Sequence, residues 1–227
     1  MAKVIKKKKL RLLPFLIFII AITIIVFTCL LILDTKVKNI IITGNEVLSD
    51  DEIIDLAGLT NYPSFYKTLN ITMKNNITKE PLIKSVNINR KFYHIIEIKV
   101  EEYKILYKRE DNGKYVLENN KEITLSKRTP YTIPRLINEI PTNKLDIFIK
   151  YFKRIDLNIR EKISEINYVP NEFDDDRFLL YMDDGNSVYM TITKFERLNY
   201  YNDVLPQLDG RKGILYLDSG NHFQIME

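Results

Sequence analysis

The chain has 227 residues, with 34 basic and 30 acidic side chains, 45% apolar residues, seven Gly, one Cys and no Trp. One Cys excludes a disulfide framework and a thiolate metal site, so any core must be stabilised by burial alone. Setting aside the six cations of the first 11 residues leaves 28 basic against 30 acidic side chains, so the basic balance is no sign of a nucleic-acid-binding face.

Residues 1–11 read as a basic cytoplasmic tail. From Leu12 to Leu33 no charged residue occurs, and Cys29 lies within that run. Twenty-two residues make a helix of about 33 Å, enough to cross a hydrocarbon core of about 30 Å. Pro14 falls in the first turns, where a missing N–H does little harm. The tail cations place the N-terminus inside and the bulk of the chain outside the cell membrane. A cleaved signal peptide fits less well, because its apolar stretch is shorter and ends in small residues. Here the run ends Cys29-Leu-Leu-Ile-Leu33-Asp34. An uncleaved signal anchor is the expectation.

After a short linker, Lys38–Thr43 is rich in β-branched residues and stops at Gly44-Asn45, a strand followed by a turn. Ser49 and Glu52 have the spacing of a capping box, Asp50 and Asp51 suit a helix N-terminus, and Gly58 stops the helix. A second helix is expected between Ser64 and Met73, with Ser64 as its cap. Ser85–Arg90 and Ile96–Glu101 alternate apolar and polar, as strands with one buried face do. The order is β-α-α-β-β.

Those residues carry a resemblance. Val37–Asn45, the acidic helix start, Pro81-Leu-Ile-Lys-Ser-Val86 and Ile96–Glu102 resemble the POTRA domain of the FtsQ/DivIB family of bacterial cell-division proteins. The aromatic-Pro pair frequent in that family is replaced here by Phe92-Tyr93-His94.

Beyond Ile105 the pattern becomes strongly β. Lys104–Lys108 and Tyr115–Leu117 flank Asp111-Asn-Gly113, and Ile123–Leu125 follows Asn119-Asn120. Ile133–Ile137 lies among prolines. A helix is predicted over 144–156, with Leu145, Phe148, Ile149 and Phe152 on one face. Ile163–Tyr168 reads as a strand, and Phe178–Met182 and Ser187–Ile192 as a hairpin. A helix from Thr193 carries Phe195, Leu198, Tyr201, Leu205 and Leu208 on one stripe, and Pro206 ends or kinks it. Gly213–Asp218 is the last strand predicted. The fold class is therefore α+β: a transmembrane helix (12–33), a POTRA-like module (34–104) and a larger mixed β domain with two helices (105–227). The second region also resembles the FtsQ/DivIB family in its order of elements.

Motifs of chemistry are few. Ser64-Phe-Tyr-Lys67 fits Ser-x-x-Lys, but no Ser-Asp-Asn or Lys-Thr-Gly partner motif accompanies it. His94 and His222 lie in no metal-binding pattern, and His94 is expected to face solvent. Asp174-Asp-Asp176 lacks the spacing of a calcium loop. Asn70-Ile-Thr72 and Asn76-Ile-Thr78 are chance acceptor patterns in an Asn- and Ile-rich chain. No catalytic residue, cofactor or metal is expected, and the reading is an adaptor and not an enzyme.

The resemblance implies the partners: FtsL-like and DivIC/FtsB-like single-span membrane proteins, and through them the septal peptidoglycan synthase. It implies a location at the division septum. It also implies a partner contact at the closing strand and preceding helix, which by position are Tyr216, Leu217, Ser219, Gly220 and Phe223, with Phe195, Leu198 and Tyr201. The expected means is addition of a partner strand at a sheet edge formed by Ile214–Leu217. For the helix stripe, burial in the core is the competing reading. The lipid bilayer is the other expected partner, and nucleic acid is not one. Two further readings are a membrane-anchored wall enzyme or wall-binding protein, and a translocation component. The latter would need a membrane barrel for which the remaining residues offer no pattern.

Overall fold

The computed structural model describes residues 12–226, so the basic tail expected at 1–11 lies outside the described residues. Helix α1 runs Leu12–Leu33, and its span Leu13–Leu33 is long and apolar enough to cross a membrane and is not buried in the protein. The hydroxyls of Thr23 and Thr28 donate to the carbonyls of Ile19 and Ile24, four residues back. They therefore add no unsatisfied polar group to an apolar span.

The chain divides into two compact units, and α1 belongs to the first. The first takes Leu48–Lys79 and Val86–Val100 together with the chain up to Thr43, and the second takes Gly44–Val47, Glu80–Ser85 and the chain from Glu101.

The first unit contains β1 (Asn39–Thr43), α2 (Asp50–Leu56) and α3 (Asn70–Ile77), with β2 (Ile83–Lys91) and β3 (Ile95–Glu102) completing a sheet of order β1-β3-β2. β1 runs parallel to β3. The capping box is formed: Glu52 N–H donates to Ser49 Oγ at 3.3 Å, and Ser49 N–H donates to Glu52 Oε2 at 2.7 Å. Ile53, Leu59, Met73, Ile77, Ile96 and Ile98 have no exposed surface, which is the buried face that the alternation of β3 requires.

Two expectations change in this unit. The second helix starts at Asn70, not near Ser64, because tertiary bonds hold 64–68 as a turn. Arg90 donates to the carbonyls of Phe65 and Thr68, and Phe65 N–H donates to Thr35 C=O at 2.8 Å. Ser64 caps no helix; its Oγ donates to Leu33 C=O and accepts from Lys67 N–H. Nor does His94 face solvent. Its ring stands edge-on to Phe65 (5.1 Å) and Tyr66 (5.8 Å), and its Nδ1 is buried without a hydrogen-bond partner.

The second unit is built on a nine-stranded sheet of order β12-β11-β10-β9-β8-β7-β4-β5-β6. Its strands are β4 (Ile105–Arg109), β5 (Tyr115–Leu117), β6 (Glu122–Ile123), β7 (Arg135–Leu136), β8 (Ile163–Tyr168), β9 (Arg177–Met182), β10 (Ser187–Thr191), β11 (Gly213–Tyr216) and β12 (His222–Ile225). Helices α4 (Thr142–Phe152) and α5 (Leu157–Arg160) precede β8, and a 3-10 helix (Ile192–Tyr200), α6 (Tyr201–Val204) and a 3-10 turn (Leu205–Leu208) join β10 to β11. This crossover is what lets β10 and β11 pair in parallel. α4 packs against the 3-10 helix. At their junction Phe148 stacks on Phe152 and Phe178 (5.1 and 5.0 Å), and Phe195 meets all three edge-on. Fully burying each such ring contributes about 1.5–3 kcal/mol.

That core settles the stripe after Thr193. Phe195, Leu198 and Tyr201 are 0%, 0% and 2% exposed. Turning them outward would forfeit their burial energy, so all three are core side chains, and of the three only Tyr201 borders a groove, described below. Pro206 sits at the start of the 3-10 turn, consistent with its lack of an N–H.

Candidate partner-binding edge

The strand expected to be a sheet edge is interior. β11 pairs in parallel with β10 and antiparallel with β12. Asp218-Ser219-Gly220-Asn221 turns the chain back: Ser219 donates N–H and Oγ–H to Asp218 Oδ1 at 2.7 and 3.1 Å, and Gly220 takes a φ of 149°. His222–Ile225 then forms β12. Among the described residues no strand pairs with its outer side. Met226 N–H donates to Lys212 C=O at 3.0 Å, just beyond the pair Gly213 with Ile225. The antiparallel alternation then turns Gln224 toward β11 and leaves the N–H and C=O groups of Phe223 and Ile225 facing away from it.

A groove of about 510 Å³ runs beside this strand. One wall is Tyr200, Val204 and Leu208 from the crossover, and the other is Leu215, Leu217 and Phe223 from the sheet. Tyr201 also lines it, and its hydroxyl fixes the arrangement. It donates to Asp184 (2.9 and 3.0 Å) and accepts from Asn186 Nδ2 (3.1 Å), while Asn186 Oδ1 accepts from Gly213 N–H (3.0 Å). Burial, with the Asp184 carboxylate adding to it, raises the Tyr201 pKa, so the phenol stays a proton donor. Asn186 is 2% exposed, and its amide ties the start of β11 to the crossover.

The opposite face of the sheet carries a row of stacked groups across four strands. The Arg177 guanidinium lies 3.6 Å from the Tyr189 ring centroid, Tyr189 stacks on Tyr216 (5.3 Å), and Tyr216 stacks on His222 (4.5 Å). Tyr216 OH also donates to Gln224 Oε1 at 3.1 Å. The expected site residues therefore separate by place. Leu217 and Phe223 line the groove, Tyr216 stiffens β12 from the other face, and Ser219 and Gly220 shape the turn that delivers it. His222, Ile225, Tyr200 and Val204 were not anticipated. The signal was present for two of them: four turn residues followed by His-Phe-Gln-Ile, in which Phe223 and Ile225 alternate with polar neighbours.

Arg177 Nε donates to Asp218 Oδ2 at 2.7 Å, and Lys194 Nζ donates to Asp218 C=O at 2.6 Å. Burial works to raise the Asp218 pKa, but the Arg177 and Ser219 hydrogen bonds outweigh it and hold the carboxyl below the usual value. A depressed carboxylate stabilises the fold fully above the unfolded value, about pH 4, and this contribution is lost as pH falls through the folded value. We expect the melting temperature of the detergent-solubilised chain to fall less steeply below pH 4 in Asp218→Asn than in the parent. Parallel acid curves would show that this pair contributes nothing.

Among the described residues there is no group of three or more His, Cys, Asp or Glu that could hold a metal ion.

Two family models match the chain: the FtsQ-type POTRA domain over residues 35–103, and the C-terminal domain of cell division protein FtsQ/DivIB over 106–219. Cell division protein DivIB of Bacillus subtilis is 32% identical over 225 residues, covering 96% of this chain and 85% of that protein. DivIB of Bacillus cytotoxicus is 28% identical, covering 85% and 78%. DivIB of Listeria monocytogenes is 28% identical, covering 96% and 83%. The solved extracytoplasmic domain of DivIB from Geobacillus stearothermophilus aligns at a TM-score of 0.40 and 24% identity, covering 48% of this chain and 96% of that one, and adds nothing to the assignment. With an apolar N-terminal helix, a POTRA domain and a mixed sheet domain in this order, the chain belongs to the FtsQ/DivIB family of bacterial cell division proteins.

Proposed function

We propose that this chain is a non-enzymatic, membrane-anchored adaptor of the division machinery. Its N-terminus is cytoplasmic, its two units are extracytoplasmic, and it acts at the septum. There it captures FtsL-like and DivIC/FtsB-like single-span proteins and through them stabilises and regulates the septal peptidoglycan synthase. The observation that carries this reading is the unpaired outer side of β12 beside an apolar groove. An extended partner segment adds as a further strand on the outward groups of Phe223 and Ile225, and an apolar side chain of that segment enters the groove. Anchoring both proteins in one membrane makes the second contact effectively intramolecular, so a modest edge suffices.

The test is co-purification of the detergent-solubilised full chain with FtsL-like and DivIC-like proteins, together with imaging of a fluorescent fusion. Capture and a mid-cell band are expected. An evenly distributed envelope signal without capture would sink the proposal, and turnover of purified peptidoglycan would move it to an enzyme.

A further inference from the structure

We infer that the end of the first unit nearest α1 rests on the bilayer, with Phe92 and Tyr93 seated among the headgroups of the extracytoplasmic leaflet and neighbouring lysines facing anionic phospholipid. The inference rests on α1 spanning the membrane. The backbone ties this surface to the end of the span. Ser64 Oγ donates to Leu33 C=O at 2.5 Å, Phe65 N–H to Thr35 C=O at 2.8 Å, Val37 N–H to Pro63 C=O at 2.9 Å, and Lys38 N–H to His94 C=O at 2.9 Å. Both the 62–67 loop and the 92–94 turn are thus fastened within a few residues of Leu33. The 22 residues of α1 already fill the hydrocarbon thickness. The headgroup zone adds about 5–7 Å on each side, the depth at which residues bonded to 33–38 lie.

The chemistry of the surface fits that depth. Phe92 is 90% exposed and Tyr93 81%, with Tyr62 at 48% and Tyr66 at 43% beside them in the same loops. Tyr93 and His94 hold φ of 64° and 60°, consecutive left-handed residues where glycine or asparagine is the ordinary choice. In water this turn has neither a backbone nor a burial reason to present aromatic side chains. At a membrane surface it has one, because amphipathic rings concentrate at headgroup level. Around the rings, Lys36, Lys38, Lys67 and Lys91 are exposed. Lys67 and Lys91 reach Asp34 (3.3 Å) and Glu97 (2.8 Å) in solvent-accessible pairs, which are weak enough to exchange for lipid phosphate.

The chain has no Trp, so single-Trp variants report directly. Full-length Phe92→Trp is placed in lipid nanodiscs of phosphatidylglycerol and phosphatidylethanolamine, with or without bromine on the upper acyl carbons. Blue-shifted emission and loss of most of the fluorescence to brominated lipid are expected, with weaker quenching in phosphatidylcholine discs. Phe18→Trp, inside α1, serves as the reference for the span and is quenched in every brominated disc, whatever its headgroups. Quenched Phe18→Trp with water-like, unquenched Phe92→Trp overturns the inference while leaving the span intact. Loss of quenching at both overturns the span as well. Blue-shifted but unquenched Phe92→Trp means that protein covers the patch, and this too overturns the inference. Equal quenching in both lipid mixtures overturns the part assigned to the lysines.

Discussion

Replacing Ile225 by proline should abolish most partner capture while leaving the domain folded. The Ile225 N–H points away from β11, so its loss removes no internal ladder bond, and proline is tolerated on an edge strand for that reason. A partner strand, in contrast, loses one hydrogen bond and leaves its own carbonyl unsatisfied. That costs about 1–3 kcal/mol, or roughly ten- to hundredfold in affinity. The measurements are the dissociation constant of the FtsL-like and DivIC-like complex and the melting temperature of the isolated chain. An unchanged dissociation constant with β12 in place would remove strand addition from the mechanism. Proline at Tyr216 is not an equivalent probe. Tyr216 lies in an interior strand, pairs with Tyr189 and His222, and stacks between their rings, so its substitution damages the sheet itself.

The sequence read well where local chemistry and period agreed. Ser49 and Glu52 predicted a capping box that formed, because both partners lie within one helical turn. Ile96–Glu101 predicted a half-buried strand, and β3 alternates accordingly. The misses share a cause in tertiary bonds. Arg90, some 20 residues downstream, holds 64–68 as a turn and delays the second helix. β12 shows the turn and the alternation of a strand, but over four residues that signal is too short to outweigh a reading of Gly213–Asp218 as the last strand. The stripe of Phe195, Leu198 and Tyr201 was visible, but a 3.6-residue pattern does not say whether it faces a core or a partner. Burial of all three side chains, with the 3-10 helix packed on α4, decides that. The groove could not be read at all, because its walls come from two elements brought together by the parallel pairing of β10 and β11.

Gly213→Ala should release β12 from the sheet and take partner capture with it. A Cβ on Gly213 would lie 2.1 Å from the Gln224 carbonyl oxygen and 2.7 Å from the end of the Phe223 ring. The ring could rotate, but the carbonyl belongs to the paired backbone, so the strand must move. Asn186 holds Gly213 N–H at 3.0 Å, which prevents β11 from retreating instead. Overpacking of this kind costs about 1–3 kcal/mol. The expected readout is hydrogen exchange: amides of 222–226 lose protection while those of β8–β10 keep theirs, and capture is lost. Intact protection across 222–226 would show that the sheet absorbs the methyl and that the close approach is not a constraint. The two variants together separate edge from groove. Ile225→Pro keeps the groove wall that Phe223 provides and removes only an outward N–H, whereas Gly213→Ala removes both. Capture that survives the first and fails in the second assigns the contact to the apolar groove. Capture lost in both assigns it to the backbone edge.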